Sequence, residues 1–426
     1  MSELIRTMAP GTHSIEKIPF FFPDSVKMDN GTDVFFYNDV DAEVVKIELL
    51  FNAGTAYGET PLLARMTNSM ITAGTSTLSQ KQIAEMIDSY GAYFEKEISA
   101  DHASLTVYSL RKYAEEVLKI ITEVFNDCVF PEVELQNNLR VQRQKFLINQ
   151  EKVSFLCKQK FTRLLFGDHP YGRKTELNNY DTLRRKDVQS FYTEHYKKRP
   201  TFLLAGKIDE KLIKCLNKLF GSQHYEVEEP ESASNGIKPV RKREILLKED
   251  AIQSAIRIGR LLFSKTHPDY PGMYVLNTIL GGYFGSRLMS NLREDKGYTY
   301  GVGSGISSMK DAGYFFISTE VGAEVTAAAE KEILFEIDRL RQDKVPLQEL
   351  EVVKNYILGQ LLQHTDGVFE LLDQFKSLHL FGLSESHFHQ NIGNLKAVNS
   401  DLLIDLAQKY FDVAEFTTVI AGKVQG

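Results

Sequence analysis

Cysteine is scarce in this chain, and the few that occur form no pattern. Cys128, Cys157 and Cys215 are odd in number, widely spaced and without a C-x-x-C pair. That excludes a disulfide framework and a zinc knuckle, and it predicts reduced, buried thiols. Long apolar runs are missing too. No stretch approaches the roughly 20 apolar residues of a membrane span, and the opening Met1-Ser-Glu-Leu-Ile-Arg-Thr-Met8 has no signal-peptide core. Nor is there an excess of positive charge. A net charge of −7 and a pI of about 5.9 give no reason to expect nucleic acid or an anionic membrane as partner. The G-x-S-x-G of serine hydrolases does not occur. The glycine-rich segment at 281–285 is neither a G-x-G-x-x-G fingerprint nor a Walker loop. A cytoplasmic location is the default expectation.

A chain of 426 residues is too long for one compact core, so two or more units are expected. Residues 1–30 read as an irregular lead-in, with Pro19-Phe-Phe-Phe-Pro23 packing across a neighbour as an extended segment. Strands are predicted at Asp33–Tyr37 and Val44–Phe51, and a strand-like stretch at Tyr93–Leu110. Helices are predicted at Thr60–Ala73, with Pro61 in the first turn, and at Ser79–Tyr90, with Ser79 as N-cap and Gly91 as stop. Lys112–Asn126 follows as a helix, then one long polar helix or two from Pro131 to about Lys160. Arg184–Tyr196 (helix), Thr201–Ile208 (strand) and Glu210–Phe220 (helix) complete this half. Ser222 to Asn235, with four Glu, three Ser and a Pro, has the composition of a solvated linker.

Beyond the linker the pattern returns. Leu203-Leu-Ala-Gly-Lys-Ile208 recurs 216 positions later as Val419-Ile-Ala-Gly-Lys-Val424, and Pro131-Glu-Val-Glu-Leu135 recurs 215 positions later as Pro346-Leu-Gln-Glu-Leu350. Ser104–Tyr108 corresponds to Tyr314–Thr319, each followed by a helical stretch. Landmarks at nearly equal offset imply a tandem duplication. The fold class predicted is α+β, as two tandem homologous halves, each a mostly antiparallel sheet with helices packed on one face. The halves span 1–221 and 239–426, joined by an acidic linker at 222–238.

The most distinctive stretch runs from Leu280 to Gly301. Gly281, Gly282 and Gly285 open it, around Tyr283 and Phe284, and allow close backbone approach. Leu288 and Leu292 lie one helical turn apart, and Gly297 is placed to end that helix. Arg293 on the helix and Tyr300 on the following strand carry a guanidinium and a phenol, which suit gripping a peptide backbone or a carbonyl oxygen. Tyr298 competes with Tyr300 for the phenol role, since two residues apart on a strand share a face.

With these landmarks in place, the chain resembles the pitrilysin/insulinase-type zinc peptidases, or inverzincins, from about Asp33 onwards. It is most similar to their short subunits, the mitochondrial processing peptidase group. Active members carry His-x-x-Glu-His on the first helix. In the frame set by Phe51-Asn-Ala-Gly-Thr-Ala-Tyr-Gly-Glu59 and Met70-Ile-Thr-Ala-Gly-Thr75, those positions hold Arg65, Asn68 and Ser69. Arg65 is a permanent cation, Asn68 has no useful basicity and Ser69 is a poor neutral ligand. The resemblance implies a further ligand Glu near 143–146, yet no Asp or Glu occurs from Leu135 to Gln150, where Arg140, Arg143 and Lys145 stand instead. The family's Asn-Ala pair on the neighbouring strand is replaced by Glu95-Lys96. A zinc-less member is therefore expected, with no metal or other cofactor in this chain.

The resemblance also implies what remains. Arg293 and Tyr300 match the family's Arg and Tyr, supplied from the half without zinc. The Tyr would donate to the oxyanion and the Arg would hold substrate, with the 281–285 loop binding substrate beside them. The expected function is the non-catalytic subunit of a heterodimeric metalloendopeptidase, with zinc in a paralogous partner and peptides or unfolded segments as substrate. The alternative is a structural or peptide-binding homo-oligomeric module without proteolytic role. His169, in His169-Pro-Tyr-Gly172, reads as part of a structural turn, and His102 and His195 as structural histidines.

Overall fold

The computed structural model describes residues 15–225 and 236–423. The start of the lead-in, and the stretch from 226 to 235 on which most of the expected linker falls, lie outside the described residues. The first half contains β1 (Asp24–Lys27), β2 (Asp33–Asn38), β3 (Val44–Phe51), α1 (Pro61–Met70), α2 (Gln80–Ser89), β4 (Tyr93–Ile98), β5 (Ala103–Leu110), α3 (Ala114–Asn126), α4 (Glu132–Gln150), α5 (Val153–Phe166), α6 (Leu177–Thr182), α7 (Arg185–His195), β6 (Thr201–Gly206) and α8 (Glu210–Phe220). The second contains β7 (Arg243–Leu247), β8 (Gln253–Leu262), α9 (Tyr270–Asn277), β9 (Val302–Ser308), β10 (Gly313–Gly322), α10 (Thr326–Gln342), α11 (Leu347–Gln363), α12 (Val368–His379), α13 (Glu385–Ala397), α14 (Ser400–Tyr410) and β11 (Thr417–Gly422).

The duplication is written in the strand order. The first sheet runs β1-β2-β6-β3-β5-β4 and the second β7-β11-β8-β10-β9. Apart from β1 the two orders match strand for strand. In each, one pair is parallel, β2 with β6 and β7 with β11, and the other pairs are antiparallel. The fold is therefore the expected α+β pair of tandem halves. Local chemistry explains several boundaries. Ser79 and Gln82 form a reciprocal capping box at the start of α2, and Gly91 beyond its end has φ +61°. Tyr93–Leu110 is a hairpin rather than one strand, because the Ser99 hydroxyl accepts from the His102 amide at 2.9 Å and turns the chain. The long polar stretch after Pro131 is two helices, α4 and α5, broken at Lys152, whose backbone is extended.

The halves also exchange helices. α5 leaves its own sheet and packs on β8 and β11 of the other. The Cys157 thiol lies 3.2 Å from the Val419 carbonyl, and Phe161 sits over Gly259, where a Cβ would come 3.0 Å from the ring. In return α12 packs on β2 and β6, with Phe375 5.0 Å from Phe35. Two ion pairs fix that contact, Lys376 to Glu48 and Lys46 to Asp373, each at 2.6 Å. The aromatic lead-in strengthens it: Phe22 lies against Phe375, and Phe20 against Phe388 of α13. Residues 24–27 of the supposedly irregular lead-in form the edge strand β1. All three thiols are free, with Cys157 buried and the other two half-buried.

Candidate functional site

The first helix decides what the first half can do. α1 begins at Pro61, whose missing N–H costs nothing at that position, and it packs one face into the first core. Asn68 is buried, with both ends of its amide bonded. Its amide nitrogen donates to the Glu97 carbonyl at 2.9 Å, and its oxygen accepts from the Tyr196 hydroxyl at 3.0 Å. Ser69 turns its hydroxyl back on the Met66 carbonyl at 2.9 Å. From β4, Lys96 reaches under the helix and donates to the Ser69 carbonyl at 2.8 Å and the Thr72 hydroxyl at 2.7 Å. Burial pulls the Lys96 ammonium down to about 8.

Arg65 points the other way, into a cavity of about 580 Å³. α1, α4, α5, the 170–175 loop, and Met309 and Tyr314 of the β9–β10 hairpin enclose it. The hairpin is held against the first half by Asp101, which accepts from the Tyr171 hydroxyl at 2.5 Å and the Lys310 amide at 3.0 Å. Arg65 is solvent-accessible along its side chain, yet the recess desolvates it enough to push its pKa down.

The second-half element is built differently from expectation. Residues Thr278–Gly282 and Met289–Asp295 form two wide, π-type turns, a geometry frequent at functional sites. Leu288 and Leu292 are fully buried beneath them. Gly281 is a packing glycine: a Cβ there would lie 2.7 Å from the Ser304 amide of β9. Gly282 and Gly285 are crowded as well, by Asn277 and by the Tyr283 ring. Tyr283 lies tilted against Tyr356 at 5.0 Å, half-buried against the second core. Phe284 is exposed, and the Arg293 guanidinium lies 4.6 Å over its ring. Gly297 has φ +65° and ends the turn. β9 starts only at Val302, so Tyr300 sits in a bend before the strand, 93% exposed. Tyr298 is packed against the second core, so the two phenols do not share one environment. Arg293 and Phe284 are thus brought together, whereas neither Arg293 nor Tyr300 lines the cavity beside α1.

Two sequence-family models match the chain: "Insulinase (Peptidase family M16)" over residues 34–176 and "Peptidase M16 inactive domain" over residues 182–357. Together they span about three quarters of it. The chain belongs to the M16 insulinase family. An uncharacterized zinc protease of Bacillus subtilis is 26% identical to this M16 chain, over 90% of the chain and 94% of that relative. A Helicobacter pylori relative named a non-peptidase homolog is 21% identical, with 88% of each covered. The solved M16 inactive domain of Pseudomonas fluorescens superposes with a TM-score of 0.83 at 22% identity, covering 95% of this chain and 99% of that one. A Helicobacter pylori protease structure gives 0.85 at 16% identity, covering 94% and 100%.

The zinc in the first relative's name tests the M16 chain's own donors. They do not fit that ion. Zinc needs imidazole, thiolate or carboxylate lone pairs. The three motif positions offer a guanidinium, an amide and a hydroxyl, the last two already bonded elsewhere. Among the described residues no group of three or more His, Cys, Asp or Glu could hold a metal ion. His169 serves its turn, its Nδ1 accepting from the Tyr171 amide at 3.2 Å. Among the described residues no helix is long and apolar enough to cross a membrane. Sequence reasoning missed two features: the reach of Lys96 under α1, and Lys158, which α5 turns into the same cavity as Arg65. The first left a signal in the Glu95-Lys96 replacement. The second depends on the α4–α5 break, which polar composition alone does not locate.

Proposed function

We propose that this chain is the zinc-less, non-catalytic subunit of a two-chain metalloendopeptidase, acting in the cytoplasm beside a zinc-bearing paralogue. One contrast carries the reading. The side chains at the motif positions of α1 are spent on internal bonds or turned into a cationic recess, while Tyr300 stays exposed at the surface and Arg293 lies over the exposed Phe284 ring.

In this reading the partner supplies the metal, the activating carboxylate and an edge strand for the substrate backbone. Tyr300 donates a hydrogen bond to the oxyanion forming on the scissile carbonyl, and Arg293 holds a backbone carbonyl or a terminal carboxylate of the peptide. Phe284 keeps the guanidinium pre-positioned. Loss of one oxyanion donor of this kind costs about 10²–10³ in rate. The test is co-expression with the zinc-motif paralogue. A purified complex should cleave unfolded peptides, and Tyr300→Phe or Arg293→Ala should depress that cleavage. A complex that cuts equally well with both variants removes the assignment.

A second reading is favoured by one observation, the Helicobacter relative named a non-peptidase homolog. There the chain is a homo-oligomeric structural or peptide-holding module. Recovery of the pure chain as a self-associated species that ignores the paralogue would decide for it.

A further inference from the structure

We propose that the recess beside α1 is a receptor for an acidic polypeptide segment, whose carboxylates are taken up by Arg65, Lys145 and Lys158. The polypeptide part rests on the peptide-handling role proposed above. The anionic part rests on the cavity alone.

Among the described residues five cations line the cavity, Arg65, Lys145, Lys158, Arg173 and Lys174, and no Asp or Glu does. That is a local inversion in a chain of net charge −7. Two of the five have partners: Lys174 pairs with Glu176 at 3.0 Å, and Arg173 donates to the Gly58 carbonyl at 2.7 Å. Among the described residues Arg65, Lys145 and Lys158 make no ion pair. Their neighbours behave otherwise, since Lys160 and Arg163, also on α5, are paired with Glu244 and Asp168 at 2.5 Å each. The nearby carboxylate of Asp101 is turned onto Tyr171 and Lys310 instead.

Three helices each contribute one of the unpaired cations: α1 carries Arg65, α4 Lys145 and α5 Lys158. Bringing like charges into one recess is unfavourable, and burial followed by repulsion from Arg257 and Arg65 pushes the Lys158 ammonium down. An anion placed among them recovers that energy without displacing any internal pair. The room is too large for one compact anion, and Phe146, Phe155 and Tyr180 give it apolar walls for side-chain stems and backbone. Charges spread over three elements suit carboxylates spread along a chain better than a single phosphate, which is commonly cradled by successive backbone amides of one loop.

The experiment uses the full chain alone, without a paralogue, and fluorescein-labelled peptides of equal length that are Glu/Asp-rich, Gln/Asn-rich or Lys-rich. Fluorescence anisotropy at low salt should show the acidic peptide binding at least about tenfold tighter than the neutral one, with affinity falling as salt rises. Arg65→Ser/Lys158→Ser should abolish the preference, Arg65→Lys should keep it, and Lys81→Ser on the surface of α2 should change nothing. Lys145→Ser, at an exposed side chain, repeats the test should the double variant melt early. Equal binding of acidic and neutral peptides would overturn the charge assignment while leaving peptide handling intact. No peptide binding, with inorganic phosphate alone raising the melting temperature, would overturn the polypeptide assignment. Preference surviving in the double variant would place the site elsewhere and overturn the inference.

Discussion

The ammonium of Lys96 sits 2.8 Å from the carbonyl oxygen of Ser69. A cation belonging to the protein is thus anchored under α1, the helix that carries Arg65, Asn68 and Ser69. Because the site is buried, the charged form of Lys96 is disfavoured in the fold, and its pKa falls from 10.5 to about 8.

The sign of the resulting pH dependence follows from proton binding. Between about pH 8 and 10.5 the unfolded chain holds more protons at Lys96 than the folded one, so this residue's contribution to stability rises with pH across that window. The full swing is about 3 kcal/mol. Lys96→Met removes the titration. The melting temperature of the variant minus that of the wild type should therefore fall as pH is raised from 7.5 towards 10.5, read by calorimetry in matched buffers. A difference that stays flat with pH would show that Lys96 is not desolvated.

Buried Asn68 joins the Glu97 carbonyl of β4 to the Tyr196 phenol. Asn68→Ala leaves the buried Tyr196 phenol without a partner, at about 1–3 kcal/mol, and also frees the part-buried Glu97 carbonyl. Tyr196→Phe strands only the Asn68 oxygen. Chemical denaturation should rank Asn68→Ala as the more damaging of the two. The reverse ranking would mean that Asn68 is not the hub of this network.

Much of this was legible in the sequence, for physical reasons that differ from place to place. The duplicated Ala-Gly-Lys strand ends fixed the twofold plan because β6 and β11 occupy the same slot in their sheets. The poor zinc-donor chemistry of Arg65, Asn68 and Ser69 was readable because ligand chemistry is a property of residue type. The helix exchange was not, since α5 and α12 look like ordinary amphipathic helices and only the partner sheet tells them apart. The separation of Tyr298 from Tyr300 was missed because the 297–301 segment was read as strand, with period two. In the fold it is irregular backbone between a π-type turn and β9.

The exchange itself is testable. Glu48 is buried, and its carboxylate meets Lys376 of α12 at 2.6 Å. Lys376→Met removes the ion-pair partner of that carboxylate in the interior, leaving only the field of nearby Lys46, and should destabilise the chain by about 3 kcal/mol. Adding Glu48→Gln to the same variant removes the stranded charge and should restore most of the loss. Failure of the second change to rescue the first would mean that α12 is held by its aromatic contacts rather than by the ion pair.

The choice between the two phenols can be settled in the proposed complex with a zinc-bearing partner. Tyr298 is packed against the second core, whereas Tyr300 is 93% exposed in a bend beyond the arginine-bearing turn. Only an exposed hydroxyl can meet a substrate carried by another chain. Tyr300→Phe should therefore lower kcat by about 10²–10³, with an unchanged melting temperature because the ring touches little of its own protein. Tyr298→Phe should leave kcat within a fewfold of wild type. Phe284→Ala should raise KM more than it lowers kcat if Arg293 holds substrate as proposed, since it removes the ring beneath that guanidinium. If instead Tyr298→Phe abolishes turnover and Tyr300→Phe does not, the second half must rearrange on docking, and the half-buried phenol at 298 must be the one that reaches the oxyanion.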